Sequence, residues 1–259
     1  MLRRHGWPSF LCLQEVKIAP SDEASQRQLV KAANDSALPD EPLYEAVFSL
    51  PRDRFNARGF GGKVHGVATL YRKDLDAFRT RKPEWDLEGR ILLHELPCGL
   101  VVMNGYWVNG TDHPIGTHLQ KKGKPVVLVG DMNVARSRID GHPNLRTSPH
   151  QHVVNRKDFN ERFFEDEDGM KGIDLFRHVH GNARKYTWHS TSHAHGSVCD
   201  RVDYVIVSRL LTESHAITDT DICDNAADKL HSDHVPIWLD VNIPKLESSL
   251  AAPSNHDGS

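Results

Sequence analysis

One stretch constrains the fold more than any other: residues 124–134, Lys-Pro-Val-Val-Leu-Val-Gly-Asp-Met-Asn-Val, where an apolar run stops at Gly130. Its β-branched and aliphatic residues at 126–129 predict a strand that is buried on both faces. Gly130 permits a tight turn, so Asp131 and Asn133 are expected together at the strand's end. Strand ends are where α/β enzymes keep their chemistry. A carboxylate beside an amide can orient a water and hold an anionic oxygen, although an ordinary turn explains the same residues taken alone.

Length and composition predict one large α/β domain at residues 1–243 and a disordered polar tail at 244–259. The net charge of −3 means that any phosphate-binding surface must be local. Four cysteines without a Cys-x-x-Cys pair argue against a disulfide framework and a thiolate zinc site, and they fit a reducing compartment. Since no apolar run approaches the roughly 18 residues that span a bilayer, we expect no membrane partner. The apolar residues 10–13 are also too few for a signal-peptide core.

Periodicity along the chain predicts an alternation of short strands and a few helices. Helices are expected at residues 21–33 and 158–164, and residues 174–178 should end a helix or form a turn. The predicted strands are residues 9–13, 44–48, 66–71, 91–96, 100–106, 126–129, 186–188, 201–207 and 235–241. Residues 110–123 are polar and show no helical period.

Two surface features allow more than one interpretation. A basic cluster either lies along a phosphate backbone or is a solvated loop surface; its members are Arg136, Arg138, Arg146, Arg156 and Lys157. Histidines at 189, 193 and 195 suggest zinc, but a polar histidine-rich loop is favoured because no cysteine supports the cluster.

Polar side chains that suit phosphate-ester chemistry recur at the predicted strand ends. Carboxylates with few cysteines favour a hard cation, Mg²⁺ or Mn²⁺, over zinc. One histidine with a distant carboxylate can hold an imidazole in a fixed tautomer. Together they suit hydrolysis by an activated water, and the set is Glu15, Tyr106, Asn109, Asp131, Asn133, Asp203, Asp233 and His234.

Six segments in order resemble the successive motifs of the exonuclease III-like apurinic/apyrimidinic (AP) endonucleases. They cover roughly residues 8–243, and a lone Gly-Asp-x-Asn would be far weaker evidence. The segments are Leu-Gln-Glu-Val-Lys at 13–17, Gly-Val-Ala-Thr at 66–69, Asn-Gly-Tyr-Trp-Val-Asn at 104–109, Gly-Asp-Met-Asn-Val-Ala at 130–135, Arg-Val-Asp-Tyr at 201–204 and Ser-Asp-His-Val-Pro-Ile at 232–237.

The resemblance implies a four-layer α/β sandwich, with two mixed sheets face to face and helices outside. It also implies a Mg²⁺-dependent, monomeric enzyme that cleaves double-stranded DNA at abasic sites, with Mn²⁺ as a substitute. A 3′-5′ exonuclease or a 3′-phosphodiesterase activity on blocked 3′ ends is a further expectation. Base excision repair in the nucleus is the expected setting, with the mitochondrion or cytoplasm as alternatives.

The resemblance assigns a role to each matching residue. Glu15 would bind the metal with Asp233 nearby, and Asp131, Asn133 and His234 are also placed at the metal. Asp131 would orient or deprotonate the attacking water, and Asp203 would orient His234, whose imidazolium stabilises the pentacovalent charge. The remaining assignments are Tyr106, Asn133 and Asn109 at the scissile phosphate, Trp188 as an aromatic wall for the base-less sugar, and Arg136 and Arg156 on the substrate.

Simpler interpretations of the same residues stay open at this stage. Glu15 could be an exposed strand end, Asp203 could form a structural ion pair with Arg201, and Tyr106 and Trp188 could be core aromatics.

The chain also departs from the family's pattern. It starts after the family's first strand, and 110–123 is too short for the helix that precedes the Gly-Asp-x-Asn strand. These departures motivate one alternative, an inactive nucleic-acid-binding remnant. A related phosphodiesterase acting on RNA or a phospholipid is a second alternative, and the segments at 13–17 and 232–237 argue against it.

Overall fold

The computed structural model describes residues 2–53, 65–75, 77–107, 123–168, 170–223, 229 and 232–251. The chain divides into two compact units. The first, called the N-unit, comprises Met1–Pro97, Val101–Val108 and Val129–Met132. The second, called the C-unit, comprises Cys98–Leu100, Asn109–Leu128 and Asn133–Ser259.

The first sheet of the N-unit has three antiparallel strands in the order β1-β3-β2, with β1 at Phe10–Gln14, β2 at Tyr44–Ser49 and β3 at Val67–Arg72. Helix α1, Glu23–Asn34, packs against β2. Its N-cap is Asp22, whose side chain accepts from the Ser25 backbone N–H at 3.0 Å. The predicted helix and all three predicted strands are confirmed.

The second sheet of the N-unit runs β4-β5-β6-β7, with β4 at Arg79–Arg81, β5 at Ile91–Glu95 and β6 at Val101–Tyr106. Strand β7, Val126–Asp131, contributes its residues 129–131 to this unit. The two sheets pack face to face, and polar side chains join them between the layers. Asn104 donates to the Ala68 carbonyl at 2.9 Å and to the Thr69 hydroxyl at 3.1 Å, and it accepts from Gln14 at 2.8 Å. The expected face-to-face packing of sheets is therefore found within this unit.

In the C-unit, the first half of β7 belongs to the order β7-β12-β9, with β9 at Ile173–Asp174 and β12 at Asp203–Val207. A small antiparallel sheet, β10-β11-β8, joins Trp188–His189, Cys199–Asp200 and Gly141–His142. Strands β13, Ile217–Ile222, and β14, Ile237–Val241, form an antiparallel pair. The helices are α2 at Gln151–Asn160, α3 at Leu175–His180, α4 at Arg209–Glu213 and α5 at Ile243–Ala251. No helix in the described part of the chain combines the length and the apolar character that crossing a bilayer requires.

The predicted disorder of residues 244–259 is wrong for the part that the structure describes. Residues 243–251 form α5, whose Leu246 side chain is fully buried. The Asn242 side chain caps this helix by accepting from the Lys245 N–H at 2.9 Å, and Pro244 occupies the first turn, where its missing N–H costs nothing. Residues 252–259 lie outside the described residues.

Two smaller expectations also need correction. The helix predicted at 158–164 begins earlier, at Gln151, and continues as a π-helical turn over Glu161–Glu165. Gly130 does not turn the chain away from the sheet, because β7 continues through it to Asp131.

Candidate active site

Gly130 brings two backbones of the N-unit together. A Cβ atom at this position would lie 1.8 Å from the Gly105 carbonyl oxygen, and the Gly130 φ of +150° is unfavourable for any side chain. Glycine is therefore needed at position 130 for the close approach of β6 and β7. Strand β7 then ends at the next residue, Asp131.

Asp131 is the last residue of β7 and is 6% exposed. Its carbonyl accepts from the Trp107 N–H at 2.8 Å, directly after β6 ends at Tyr106. Tyr106 is buried, with the Arg90 guanidinium 5.8 Å from its ring centroid and His65 at 5.8 Å between centroids. Burial, helped by Arg90, lowers the pKa of His65. The ends of β6 and β7 therefore lie side by side in the N-unit.

Glu15 follows β1 in a left-handed backbone conformation, with φ at +52°. That conformation is uncommon for a residue with a side chain and is found at functional sites more often than elsewhere. Its exposed carboxylate lies 3.5 Å from the Lys17 ammonium, and Gln14, its neighbour, is fixed by Asn104. The Glu15 carboxylate is therefore accessible to solvent, and the side chain before it, Gln14, is held by its hydrogen bond to Asn104.

Asn133, in the C-unit, also has a left-handed backbone, with φ at +53°, and its side chain is exposed. The residues that follow it are tied to Tyr204 of β12. The Tyr204 hydroxyl donates to the Val134 carbonyl at 2.7 Å and accepts from the Arg136 N–H at 3.0 Å. Asn133 therefore stands at the start of a segment with a fixed path.

A buried ionic network lies behind this segment. The Arg201 side chain is 1% exposed and donates to Asp140 at 2.7 Å and to both oxygens of Asp174 at 3.0 and 2.7 Å. Arg177 also bonds Asp140, and Arg136 bonds Asp174 at 3.2 Å. Burial alone would raise the pKa of Asp140, but the charge of Arg201 and its hydrogen bonds hold that pKa below the usual value. Two carboxylates and three guanidinium groups thus offset one another inside the C-unit.

Because Arg201 is committed to this network, the suggested ion pair between Arg201 and Asp203 is not formed. Asp203, at the start of β12, instead accepts from His234 Nδ1 at 2.8 Å. Asp203 is 8% exposed and His234 is partly exposed. A carboxylate at Nδ1 fixes the tautomer with the proton on that nitrogen, which leaves Nε2 on the other side of the ring.

Thr187 connects the main chain at Asp203 with the main chain next to His234. The sequence patterns do not predict this role. Its fully buried hydroxyl accepts from the N–H groups of Val202 and Asp203, each at 3.0 Å. Its carbonyl accepts from the Val235 N–H at 2.8 Å, one residue after His234. A threonine before an aromatic residue carries no pattern that announces such a role.

Trp188 and Asp233 are adjacent in the structure. The Trp188 indole N–H donates to the Asp233 carboxylate at 2.9 Å, and the His189 N–H donates to the Asp233 carbonyl at 2.8 Å. Trp188 is half-buried, and the Arg146 guanidinium lies 4.5 Å from its ring centroid. Trp188 is therefore not a plain core aromatic, because its indole N–H forms a hydrogen bond with Asp233.

The two arginines expected on the substrate have partners within the C-unit. Arg136 donates to Asn160 at 2.8 Å and lies 3.6 Å from the Phe164 ring centroid, whereas Arg156 donates to the Ala135 and Arg146 carbonyls at 2.7 Å. Their contact with substrate stays a prediction. Asn109 lies outside the described residues. The histidines at 193 and 195 are exposed, whereas His189 is buried in β10 with its ring 4.1 Å from that of His195, so the predicted polar loop does not include His189.

The donor chemistry of these residues suits a hard divalent cation. In the N-unit, Glu15 and Asp131 offer carboxylate oxygens, and in the C-unit Asp203, Asp233 and His234 offer further oxygens and a nitrogen. Carboxylate oxygens, by themselves in the N-unit and with one imidazole nitrogen in the C-unit, are donors that Mg²⁺ and Mn²⁺ accept.

Residues 1–234 match the Endonuclease/Exonuclease/phosphatase family, and the chain belongs to that family. The expectation of an exonuclease III-like relative is confirmed. The chain is 27% identical to exodeoxyribonuclease III of Haemophilus influenzae, in an alignment that covers 90% of each chain. It is 28% identical to the DNA-(apurinic or apyrimidinic site) endonuclease of Dictyostelium discoideum, covering 91% of this chain and 63% of that protein.

Similarity also extends to shorter matches and to solved structures. The exodeoxyribonuclease of Bacillus subtilis is 34% identical over 124 residues, which is 46% of each chain, so the match covers less than half of that relative. The fold is similar to that of an AP endonuclease from Archaeoglobus fulgidus, with a TM-score of 0.60, 21% identity, and coverage of 93% of this chain and 91% of that one. A 3′-5′ exonuclease from Neisseria meningitidis has the same TM-score, with 20% identity and coverage of 93% and 92%.

Proposed function

We propose that this protein is a divalent-metal-dependent phosphodiesterase that cleaves the backbone of double-stranded DNA at abasic sites and removes blocked 3′ ends. The observation that carries the proposal is the hydrogen bond between Asp203 and His234 at 2.8 Å, formed by two of the six segments that resemble the exonuclease III-like enzymes. The names of the relatives, exodeoxyribonuclease and AP endonuclease, support DNA as the substrate class.

The proposed chemistry begins with the attacking water and the scissile phosphate. Asp131 orients the water or accepts its proton, because a buried carboxylate at a strand end is a fixed acceptor. The amides of Asn133 and Asn109 and the Tyr106 hydroxyl donate to the phosphate oxygens. The His234 imidazole, held through Nδ1 by Asp203, stabilises the negative charge that grows in the pentacovalent transition state.

A divalent cation would neutralise phosphate charge and favour departure of the leaving oxygen. Glu15 and Asp233 are the carboxylates proposed to hold it, and Mg²⁺ is the proposed ion with Mn²⁺ as a substitute. The proposal places the protein in base excision repair in the nucleus and as a monomer, which imaging of the tagged chain and sedimentation would test.

The test is cleavage of an end-labelled duplex with one abasic site, with and without Mg²⁺, together with a duplex that ends in a 3′-phosphate. Asp131→Asn, Asp203→Asn and His234→Ala should each lower kcat by at least about a hundredfold, which corresponds to loss of a group that acts in the transition state. The matched controls Asp40→Asn and His178→Ala alter exposed residues and should leave kcat unchanged.

Three results would contradict the proposal, and the first two would point to another function. DNA binding without cleavage by the wild type would point to the inactive nucleic-acid-binding remnant. Cleavage of an RNA strand or a phospholipid in preference to the abasic duplex would point to another member of the family. Cleavage that persists in a chelator would exclude the metal-dependent reaction.

A further inference from the structure

The contacts of Trp188 define a chain of four side chains within the C-unit. Asp200, in β11, is buried and bonds the Arg146 Nε at 2.8 Å. The Arg146 guanidinium lies over Trp188, and the Trp188 indole N–H donates to Asp233. Asp233 directly precedes His234, so this series of contacts ends at the motif that carries the proposed charge-stabilising imidazole.

Each link restricts the next one. Burial raises the pKa of Asp200, and the nearby Arg146 opposes that effect, so the carboxylate and the guanidinium stabilise each other's charged forms. The planar guanidinium gains a cation–π contact on the indole face and holds the ring plane. A fixed ring plane fixes the direction of the indole N–H, and an N–H aimed at a carboxylate is a strong donor.

Strand β10 adds a second restraint on the same residue. The His189 N–H holds the Asp233 carbonyl at 2.8 Å, and Trp188 forms a β-bridge with His234. The main chain of Asp233 is therefore held by β10, and one oxygen of its carboxylate is held by the indole. The other carboxylate oxygen of Asp233 forms no hydrogen bond with Trp188, Arg146 or Asp200.

We propose that Trp188 is the positioning residue of the Asp233 carboxylate, and that Arg146 and Asp200 hold Trp188 in the orientation this task requires. The inference rests on the proposed function, because the Asp233 carboxylate is assigned there to the divalent cation. It differs from a role as an aromatic wall for the sugar, which needs the ring of Trp188 and not its N–H. One ring face is also already covered by Arg146.

Trp188→Phe separates these two roles, because phenylalanine keeps an aromatic ring and lacks the N–H donor. Loss of a partner that orients a ligand typically costs ten- to hundredfold in metal affinity. We therefore expect Mn²⁺ affinity of the full chain, measured by calorimetry, to fall about tenfold in Trp188→Phe. The affinity for an abasic duplex in chelator should stay within about twofold. Trp85→Phe, at an exposed tryptophan of the N-unit, is the matched control and should change neither.

The coupling is tested by a double-mutant cycle with Asp233→Ala. If the indole acts through Asp233, Trp188→Phe will weaken Mn²⁺ binding in the wild-type background and have no further effect in the Asp233→Ala background. Additive losses would overturn the inference, and so would Mn²⁺ affinity that Asp233→Ala leaves unchanged. Arg146→Met, which keeps the side-chain stem and removes the guanidinium, should give an intermediate loss.

A spectroscopic measurement tests the contact without metal or DNA. The indole ¹H–¹⁵N signal that disappears in Trp188→Phe belongs to Trp188, and it should move upfield when Asp233→Ala removes the acceptor. A signal that does not move would contradict the inference, even if the enzyme cleaves DNA as proposed. Conversely, the signal could move upfield in Asp233→Ala while the wild type cleaves no abasic duplex. That result would contradict the proposed function and establish the contact.

Discussion

Arg201 donates to both carboxylate oxygens of Asp174, at 3.0 and 2.7 Å, and both side chains are 1% exposed. The pair joins β12, which begins at Asp203, to the start of helix α3, whose N-cap is Asp174. A single buried cation thereby ties the proposed catalytic strand to the helix packed against it.

Removal of the Arg201 charge should destabilise the fold strongly. Arg201→Met leaves Asp140 and Asp174 buried with only Arg177 and Arg136 to compensate, and breaking a buried pair in this way costs about 3 to 5 kcal/mol. Urea unfolding should show this loss as a lower midpoint. Arg27→Met removes an exposed ion pair with Glu23 and should change the free energy of unfolding by less than about 0.5 kcal/mol. Equal effects of the two substitutions would contradict the assigned role.

The Thr187 hydroxyl should matter more for rate than for substrate binding. Thr187→Val keeps the shape and leaves the Val202 and Asp203 N–H groups without their acceptor, whereas Thr187→Ser keeps the hydroxyl. Since small displacements of catalytic groups are costly, we expect kcat on the abasic duplex to fall about tenfold or more in the valine variant. The serine variant should stay close to wild type. If both variants lose kcat equally, the methyl group and not the hydrogen bonds is responsible.

His94 should make the N-unit less stable in mild acid. Its ring is fully buried between the Thr69 and Thr80 hydroxyls, at 2.9 and 3.0 Å, and burial lowers the pKa of His94 from 6.5 to about 4. At a pH between 6.5 and 4 the unfolded chain binds a proton that the folded chain does not bind, so stability falls as the pH falls through this window. Above pH 6.5 and below pH 4 the group contributes no slope.

Between pH 7 and pH 5 the expected loss from His94 is about 2 kcal/mol. Urea unfolding of wild type and His94→Gln at several pH values measures it, because the other titrating groups are common to both. The glutamine variant should show the shallower dependence on pH. Parallel curves would mean that His94 takes up its proton in the folded state as readily as in the unfolded one.

A methyl group at Gly130 should be poorly tolerated. Gly130→Ala places a Cβ atom against the Gly105 carbonyl oxygen, and overpacking of this kind typically costs about 1 to 3 kcal/mol beyond the backbone strain. Gly99→Ala is the matched control, because Gly99 also has a positive φ but has no atom near the added methyl group. The difference in free energy of unfolding between the two variants isolates the steric part, and no difference would argue against the close approach.

Helix α5 should contribute measurably to stability. Leu246→Ala removes a fully buried side chain, which typically costs about 2 to 5 kcal/mol. Ser249→Ala, on an exposed position of the same helix, should be close to neutral. Thermal unfolding of both variants decides the matter, and a neutral Leu246→Ala would restore the original expectation of a disordered tail.

The parts of the fold that the sequence predicts well are those set by local patterns. The apolar runs at 66–71, 91–96 and 126–129 need no distant partner to indicate strands, and the structure has strands at Val67–Arg72, Ile91–Glu95 and Val126–Asp131. The pairing of Asp203 with His234 was also predictable, because both residues belong to recognisable segments. Helix α5 is hard to predict, because the polar composition of the tail favours disorder although Asn242 and Pro244 are a usable helix start signal.

The features that could not be predicted depend on distant charges and on main-chain geometry. Arg201 bonds residues that are 61 and 27 positions away, and its neighbour Asp203 was the simpler partner on sequence grounds. The basic cluster divides by contact: Arg136 and Arg156 hold the chain that follows Asn133, and Arg146 covers Trp188. Charge patterning alone gives no means to tell these roles apart.

The left-handed backbone of Asn133 complicates any mutational survey of this protein. Asparagine accepts a φ of +53° more easily than most residues, because its short side chain tolerates that region. Replacing it by alanine or glutamine therefore removes the amide or moves it, and also strains the turn, so a loss of activity would combine two causes. Aspartate has the same size and a similar tolerance for this conformation, which makes Asn133→Asp the substitution that reports on the amide's hydrogen-bond donors with least disturbance of the main chain.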